Sequence, residues 1–376
     1  MCWCYSNNTL FTENNNGRLH KNIIMKLIKT VDAEGAVLCH DITQIIKGVT
    51  KDAVFRKGHV VTKEDIPVLL SVGKDQLYVW EKEEGMLHEN DGAEILCAMC
   101  KGEHMERSQA KEGKIELTAA CDGLLKVDNK GLKAVNGFGQ MMIATRHGNF
   151  AVKKGDKLAG TRIIPLVIEE EKMTKAKEAA MAETGNKPIL NLLPFKHKKV
   201  GIVTTGNEVF YGRIKDTFTP VIEGKLAEFD TEIIDHVTWN DDDTKVTASI
   251  LDMIHKGADI VVCTGGMSVD PDDKTPLAIK NTGADIVSYG APVLPGAMFM
   301  LAYYQVTEGD DPRTVAIMGL PGCVMYAKRT IFDLVLPRVM ADDKVTAEEL
   351  AALGPGGLCL NCPVCTFPNC GFGKGV

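Results

Sequence analysis

The fold is decided by a pattern that occurs three times, in which an apolar run ends in a glycine turn: Lys198–Gly206 (KKVGIVTTG), Ala258–Gly266 (ADIVVCTGG) and Arg313–Gly322 (RTVAIMGLPG). These runs are apolar throughout instead of alternating, which is typical of strands buried on both faces of a sheet. Residues at helical spacing lie between them, for example Ile222 and Leu226. The alternation predicts an α/β domain over residues 196–340, with a parallel sheet that helices cover on both faces.

Two further strands and three helices complete the predicted domain. The strands are TEIIDHVTW from Thr231 and ADIVSYG from Ala284. The helices are predicted over Phe218–Phe229, after an acidic cap at Asp241–Asp243, and over Tyr326–Val335.

Residues 25–195 show no repeated strand–helix unit and are predicted to form a smaller, mixed α/β and partly β-rich N-terminal region. Thr62 and Asp65 indicate the start of a short helix that Gly73 ends, and Gln76 to Glu81 alternates like a strand. Short β-type runs separated by glycines fill residues 110–170. A helix is predicted over Glu169–Glu183.

Composition limits the classes of partner. The chain has 376 residues and a net charge of −7, which argues against general binding to nucleic acid or to a membrane surface. No apolar run approaches the roughly 20 residues that cross a bilayer. Residues 1–24 are polar and lack the apolar core of a signal peptide, so we expect them to be disordered or non-native, with translation starting at Met25. The predicted location is cytoplasmic.

Ligands of open α/β sheets bind outside the carboxyl ends of the strands, where all three glycine turns are expected. Glycine lets the backbone approach a ligand closely, and the N–H groups of a following helix suit an anion. Ordinary strand-to-helix turns are the alternative for each segment, but three at one edge favour binding. The candidate residues are Thr205, Gly206, Asn207 and Glu208, then Thr264, Gly265, Gly266 and Ser268, then Gly319, Leu320, Pro321 and Gly322.

An acidic cluster, Asp270, Asp272 and Asp273, follows the second turn. Carboxylates beside a phosphate site are typical of bound Mg²⁺, which takes one or two of them together with ligand oxygens. An ordinary N-terminal helix cap is the alternative.

The motifs TTGNEV, CTGGMSVDPDD, VLPGAM and GLPG, in this order, resemble the molybdopterin-binding domain. Molybdopterin molybdotransferases, molybdopterin adenylyltransferases and CinA-like proteins share that domain. The resemblance covers residues 196–340. The segment Arg56–Trp80 also resembles a small module of the molybdotransferases, in which it follows the binding domain instead of preceding it.

The resemblance implies that the second turn holds the terminal phosphate of the pterin dithiolate and that the first lines the opposite side. Asp273, together with Asp216, would hold Mg²⁺ or contact the reacting end. Gly319–Gly322 would close the pocket, with Pro295 and Gly296 beside it.

Three departures from the family pattern bear on the reaction. The molybdotransferases read Asp-Ser-Asn where this chain has Asp216-Thr217-Phe218, and they have Asn at Cys323 and a basic residue at Ala297. The departures leave three functions open. The first is a molybdopterin-binding protein that builds or delivers molybdenum cofactor, with ATP or molybdate as substrate if it is an enzyme. The second is a carrier or sensor that docks molybdoenzymes without turnover, and the third is a CinA-like nucleotide pyrophosphatase. The family also implies a homo-oligomer.

The tail, residues 341–376, carries four closely spaced cysteines, Cys359, Cys362, Cys365 and Cys370. Four thiolates at such spacing favour Zn²⁺ or an iron–sulfur cluster, and an unmetallated or redox-reactive tail is the alternative. His40, His59, His104 and His147 are scattered and indicate no ligand set.

Overall fold

The computed structural model describes residues 25–46, 50–80, 84–268, 270–271, 273–307 and 312–375. The expectations for residues 1–24 and for Asp272 therefore concern positions outside the described residues.

The first described elements form a small module: β1 (Met25–Lys29), β2 (Val37–Leu38), β3 (Ile42–Ile46), β4 (Thr50–Phe55), α1 (Asp65–Ser71) and β5 (Gln76–Trp80). The predicted helix and strand are confirmed. Asp65 Oδ2 accepts hydrogen bonds from the Thr62 backbone N–H at 2.8 Å and from its hydroxyl at 2.9 Å, which fixes the start of α1. Gly73 ends the helix with a φ of +77°. β5 pairs antiparallel with both β1 and β2.

The middle region is built from short strands around three helices. Its elements are β6 (Met86–His88), α2 (Glu89–Cys100), β7 (Met105–Arg107), β8 (Lys114–Ala119), β9 (Gly123–Val127), α3 (Asn129–Asn136), β10 (Met141–Thr145), β11 (Phe150–Val152), β12 (Lys157–Ile163), β13 (Val167–Glu169), α4 (Glu170–Thr184) and β14 (Leu190–Pro194). The β-rich stretch and α4 are confirmed, whereas α2 and α3 were not predicted. One buried cluster, containing Leu96, Leu117 and Ala176, joins the sheets to the helices.

The C-terminal domain follows. Its elements are β15 (Lys198–Thr205), α5 (Asn207–Phe210), α6 (Thr219–Leu226), β16 (Thr231–Trp239), α7 (Asp243–His255), β17 (Ile260–Thr264), α8 (Thr275–Asn281), β18 (Asp285–Tyr289), β19 (Met300–Val306), β20 (Arg313–Leu320), α9 (Ile331–Met340) and α10 (Ala347–Ala351). The strand order is β16-β15-β17-β20-β19-β18, and the first four strands are parallel.

Both faces of this sheet are covered, as predicted. On one face Ile202, Val262 and Met318 pack in a cluster that includes residues of α6 and α9. On the other, Val203, Val261 and Ile317 pack with residues of α7 and α8. Successive residues of β15, β17 and β20 thus point to opposite cores, which explains why the runs are apolar throughout.

Two expectations for this domain need correction. β19 was not predicted, and it runs antiparallel to both β20 and β18, so the sheet is mixed at this end. The closing helix begins at Ile331 instead of Tyr326, because Thr330 and Asp333 form a capping box there.

No helix among the described residues is long and apolar enough to cross a membrane.

A buried ion pair fastens α6 to the start of α9. Lys225 Nζ donates to both carboxylate oxygens of Asp333, at 2.7 and 2.9 Å. Asp333 also accepts hydrogen bonds from the Thr330 backbone N–H at 2.7 Å and from Arg329 at 2.8 Å. The side chain of Asp333 is 4% exposed, so its charge depends on these donors in place of water.

Replacing Asp333 with Asn is expected to lower the free energy of unfolding by about 3–5 kcal/mol, because Lys225 would be left as a buried charge without an anion. Urea unfolding measures the change. Glu228→Gln is the control, since Glu228 pairs with Arg329 at 3.2 Å but is half exposed, and it should cost less than about 1 kcal/mol. Equal losses from the two variants would contradict the assigned role of the buried pair.

Candidate functional site

A cluster of buried threonines lies where the parallel strands end. Its members are Thr204, Thr205, Thr219, Thr264 and Thr275, each no more than 5% exposed. Strand pairing aligns Thr204 with Thr264 and Thr264 with Leu320, so the ends of β15, β17 and β20 meet at one edge. The β-branched side chains suit the strands, and their hydroxyls need buried partners.

Three hydroxyl contacts hold the second glycine turn against β15. The Thr205 hydroxyl donates to the Thr264 carbonyl at 3.2 Å and lies 3.1 Å from the Thr275 hydroxyl. The Thr275 hydroxyl in turn donates to the Gly265 carbonyl at 2.8 Å. The start of α8 is thereby tied to the end of β17. We call Thr264–Ser268 with these contacts the threonine-locked turn.

Glycine is required within this turn. Gly265 has a φ of +81°, and a Cβ placed there would lie 2.0 Å from the Thr205 carbonyl oxygen. At Gly266, with a φ of +54°, a Cβ would lie 3.0 Å from the Thr275 hydroxyl. Both the conformation and the close approach of two backbones exclude a side chain at Gly265.

The same turn carries unpaired backbone donors. Within the described part of the chain, no hydrogen-bond partner is found for the N–H groups of Gly266, Met267 and Ser268. Met267 is buried against Gly319, where a Cβ would lie 2.6 Å from its sulfur, and its carbonyl accepts from the Tyr289 hydroxyl at 3.0 Å. The turn is therefore anchored by packing, while consecutive N–H groups remain available to an acceptor.

Asp273 contributes an unsatisfied oxygen next to the turn. Its Oδ2 is buried and has no hydrogen-bond partner in the part of the chain that the structure describes, and its backbone N–H donates to the Asp270 carbonyl at 2.9 Å. Burial, and then the charge of Asp273, raise the pKa of the Tyr289 hydroxyl. The alternative of a helix cap is not supported for Asp273, because α8 begins after Lys274 with no side-chain cap. Asp270 itself is exposed.

Asp216 belongs to a second network, which sequence reasoning found only in part. One of its oxygens accepts from the backbone N–H groups of Phe218 and Thr219, and the other accepts from the Thr219 hydroxyl at 2.6 Å. Burial raises the pKa of Asp216, but these hydrogen bonds and nearby His236 outweigh burial and hold the pKa below its usual value.

His236 was missed, and nothing in its spacing singles it out. Its Nε2 lies 3.0 Å from the Thr204 hydroxyl, 3.3 Å from the Thr219 hydroxyl and 4.0 Å from Asp216. The network links the start of α6 to the ends of β15 and β16, and both oxygens of Asp216 are already occupied by Phe218 and Thr219.

The first glycine turn is shaped differently from the second. Gly206 has a φ of +139°, and the Glu208 carboxylate folds back over it, 3.0 Å from where a Cβ would lie. The Asn207 backbone N–H donates to Asp241 at 3.2 Å. Asn240, beside Asp241, has a buried Oδ1 without a hydrogen-bond partner. Neither Asn240 nor Asp241 was predicted to lie at the site.

Two contacts connect the third turn to other parts of the site. Met267 packs against Gly319, as described above, and the Thr217 hydroxyl lies 3.3 Å from Met325 Sδ in the 3-10 turn Gly322–Met325. Leu320 and Pro321 are buried. The expectation that a helix N-terminus follows each glycine turn was wrong, because none of the three turns leads directly into a long helix. Helix α5 has four residues, and α8 starts nine residues after Gly266.

Pro295 and Gly296 lie beside α9 and the tail. A Cβ at Gly296 would lie 2.4 Å from Ile331 Cγ2, and the Pro295 carbonyl accepts from the Ile331 backbone N–H at 3.3 Å. The neighbouring Leu294 exchanges backbone hydrogen bonds of 2.8 Å with the tail at Gly357 and Cys359. The described contacts of this loop therefore go to α9 and the tail.

The tail cysteines are not arranged as metal ligands. Cys359, Cys362, Cys365 and Cys370 line one cavity of about 410 Å³ together with Pro295 and Tyr326. No group of three or more His, Cys, Asp or Glu side chains that could hold a metal ion is found in the described ranges. The arrangement does not fit the expected Zn²⁺ or iron–sulfur site, because ligation needs all four sulfurs around one point.

Comparison with known families agrees with the fold and the motifs. Residues 201–341 match the model of a family described as a probable molybdopterin binding domain. Residues 27–81 match a domain of unknown function (DUF8806). The C-terminal α/β domain of this chain therefore matches the molybdopterin-binding domain family, and CinA-like proteins are among the proteins similar to it.

Individual relatives match over shorter stretches. A CinA-like protein of Mycobacterium tuberculosis is 34% identical over 77 residues, 20% of this chain and 18% of that protein. A CinA-like protein of Mycobacterium avium is 32% identical over the same length. The chain thus spans about 18% of the length of these curated relatives.

Solved structures are more distant. The tungsten cofactor synthesizing protein MoaB of Pyrococcus furiosus is 21% identical, with a TM-score of 0.29 over 39% of this chain and 89% of that one. CinA of Thermoplasma acidophilum, described as of unknown function, is 16% identical, with a TM-score of 0.31 over 38% and 98%. A molybdenum cofactor biosynthesis protein of P. furiosus is 13% identical, with a TM-score of 0.24 over 84% and 63%.

Two glycines with the same backbone angle allow a test of the threonine-locked turn. Gly283, between α8 and β18, has a φ of +80° but nothing within 4 Å of a Cβ, whereas Gly265 would clash with Thr205. Gly283→Ala should cost about 1–2 kcal/mol of unfolding free energy, the usual penalty for a left-handed residue. Gly265→Ala should cost roughly 1–3 kcal/mol more, because overpacking is added to the same strain.

Urea unfolding of both variants gives the comparison, and hydrogen exchange of residues 204–206 and 264–268 shows whether the turn has moved. Equal costs, with unchanged exchange, would mean that the close approach to Thr205 does not constrain the turn.

Proposed function

We propose that this protein binds molybdopterin through the phosphate of the pterin and acts in the assembly or delivery of molybdenum cofactor. The observation that carries the proposal is the threonine-locked turn, whose N–H groups at Gly266, Met267 and Ser268 have no partner among the residues that the structure describes. The family match over residues 201–341 supports the choice of ligand.

The turn suits a phosphate for two reasons. Consecutive N–H groups in a glycine turn form a concave donor set, which holds an anion without a basic side chain. The donors are also fixed before the ligand arrives, because Thr205, Thr275 and Gly319 anchor the turn from three sides. A preorganised donor set loses little entropy on binding. The Ser268 hydroxyl is exposed beside these donors and can add a further hydrogen bond.

Asp273 is the group best placed to act beyond phosphate binding. A buried carboxylate oxygen without a partner is costly, and it is commonly retained where a ligand or cation completes it. Asp273 would hold a Mg²⁺ ion that also contacts phosphate oxygens, and the ion would neutralise negative charge there. Asp216 would serve only indirectly, because Phe218 and Thr219 already occupy its oxygens.

The remaining site residues would enclose the pterin. Gly206, Asn207 and Glu208 would line the side opposite the threonine-locked turn, Thr205 would hold that turn in place, and Gly319–Gly322 would close the pocket. If the protein turns its ligand over, with ATP or molybdate as co-substrate, its residues would act by positioning and charge neutralisation instead of by a covalent nucleophile. A carrier that passes its cofactor to molybdoenzymes, as a homo-oligomer, would use the same phosphate contacts.

A CinA-like nucleotide pyrophosphatase is the second candidate, and one finding favours it. The curated relatives described above are CinA-like proteins, with 32–34% identity over 77 residues. The same turn and Asp273 would then hold a pyrophosphate with Mg²⁺.

Binding of molybdopterin, released anaerobically from a molybdoenzyme, tests the leading proposal. Tight, saturable binding to the full chain is expected in the presence of Mg²⁺, with Asp273→Asn weakening it about tenfold or more through loss of the carboxylate that would hold the ion. Asp285→Asn is the matched control, because Asp285 is an exposed aspartate at the start of β18, on the opposite edge of the sheet. It should bind as the wild type does.

Absence of molybdopterin binding by folded protein would overturn the proposal. Hydrolysis of a dinucleotide in the presence of Mg²⁺, lost in Asp273→Asn, would then favour the pyrophosphatase. Equal weakening by Asp273→Asn and Asp285→Asn would show that the threonine-locked turn is not the site.

A further inference from the structure

A second cavity, far in sequence from the threonine-locked turn, lies between the middle region and the tail. It has a volume of about 330 Å³ and is lined by the loop from β10 to β11, the start of α3 and the chain near α10 and Gly375. We call it the interdomain cavity. Its volume is at the lower end of the range found for small-molecule sites.

The charge at the interdomain cavity is mostly positive. Its charged and titratable lining residues are Arg146, His147, Glu349 and Lys374. Glu349 is neutralised, since it accepts from Arg338 at 2.8 Å and from the Thr346 backbone N–H at 3.0 Å. Arg146 pairs with Asp156 at 2.8 Å, and because both side chains are partly exposed, this ion pair is weak.

Lys374 and His147 are the two groups left without an anion. Across the ranges that the structure describes, no carboxylate pairs with Lys374, whose ammonium group lies 5.9 Å from the centre of the Phe150 ring. Burial, and then repulsion from Lys374, hold the pKa of His147 below its usual value. An anion between the two would remove that repulsion.

Lys374 is held in place although it lies near the end of the chain. A Cβ at Gly373 would lie 2.3 Å from Leu334 of α9, and one at Gly375 would lie 2.2 Å from the Ala352 carbonyl oxygen. Phe372 is 4% exposed. The backbone on both sides of Lys374 is therefore packed against the C-terminal domain, and Lys374 lines the cavity from this packed segment.

Neutral groups complete the lining. Asn129 and Asn149 offer amide groups, and Leu132 and Leu353 provide apolar surface. Gly148 and Gly375 carry backbone N–H groups for which the described residues provide no acceptor. Cations, amide groups and free N–H groups beside an apolar wall suit a tetrahedral anion attached to an organic group.

We propose that the interdomain cavity binds a small molecule that carries a phosphate ester, with Lys374, His147 and Arg146 around the phosphate and Leu132 and Leu353 against the organic part. Such a ligand would join the loop after β10 to the tail, and so would stabilise the contact between the two regions. The proposal is independent of molybdopterin binding at the threonine-locked turn.

Titration of the full chain with phenyl phosphate and with inorganic phosphate, followed by the NMR signal of His147, is the test. Phenyl phosphate should raise the pKa of His147 and saturate, because a dianion beside the ring favours the charged imidazole. Lys374→Gln should weaken binding roughly tenfold, and His147→Gln should weaken it while thermal unfolding without ligand stays unchanged. Lys133→Gln is the control, since Lys133 is an exposed lysine on α3 that does not line the cavity.

The outcomes separate the sources of the anion. Tighter binding of phenyl phosphate than of inorganic phosphate would support a phosphate ester as the ligand. Equal affinity for the two would overturn that proposal and would mean that the cavity binds free phosphate. No shift of the His147 signal with either probe, or binding that Lys374→Gln leaves intact, would overturn the proposal. Asp273→Asn should leave the His147 titration unchanged, so failure here and failure at the threonine-locked turn are distinguishable.

Discussion

The hydroxyl groups of buried threonines hold the carboxyl ends of β15 and β17 together, and most of the site depends on them. Thr205 contacts both Thr264 and Thr275, so one side chain fixes the end of its own strand, the end of the next strand and the start of α8. Parallel strands alone would bring the glycine turns to one edge, but they would not fix the path of the chain beyond it. With the hydroxyls in place, Gly265 can lie against the Thr205 backbone, and the next three N–H groups have no acceptor in the described ranges.

Contacts elsewhere in the C-terminal domain also stabilise this edge of the sheet. The ion pair of Lys225 with Asp333 fixes α6 relative to α9, and α6 carries Thr219 into the network of Asp216 and His236. α9 also joins the domain to the middle region, since Lys126 reaches Asp343, just beyond the helix, at 2.8 Å. The tail then packs on α9 through Gly373. The two cavities discussed above, one lined by the tail cysteines and one by Lys374, both arise from this packing.

The positions of the site residues were predicted unevenly. The strand ends and glycine turns could be found because they recur and because only glycine suits such backbone conformations. Asp273 could be found because it belongs to a motif. Thr219, Thr275, His236 and Asp241 could not, since each contributes through a contact with a residue at least 15 positions away. For the four tail cysteines, the sequence predicted a site that the described structure does not form, because close spacing in the sequence does not bring their sulfurs around one point.

The sequence by itself determined the class of the C-terminal domain, the position of four parallel strands and the need for glycine at their ends, because hydrophobic periodicity and backbone sterics act locally. Only the tertiary structure decided that β19 runs antiparallel, that Asp216 accepts hydrogen bonds from Phe218 and Thr219, and that Asp273 keeps a buried oxygen without a partner among the described residues. It also decided that Lys374 and His147, 227 positions apart by their numbers, face one cavity. Charge, burial and hydrogen-bond satisfaction depend on which segments, distant in sequence, come into contact. A local sequence pattern does not predict those contacts.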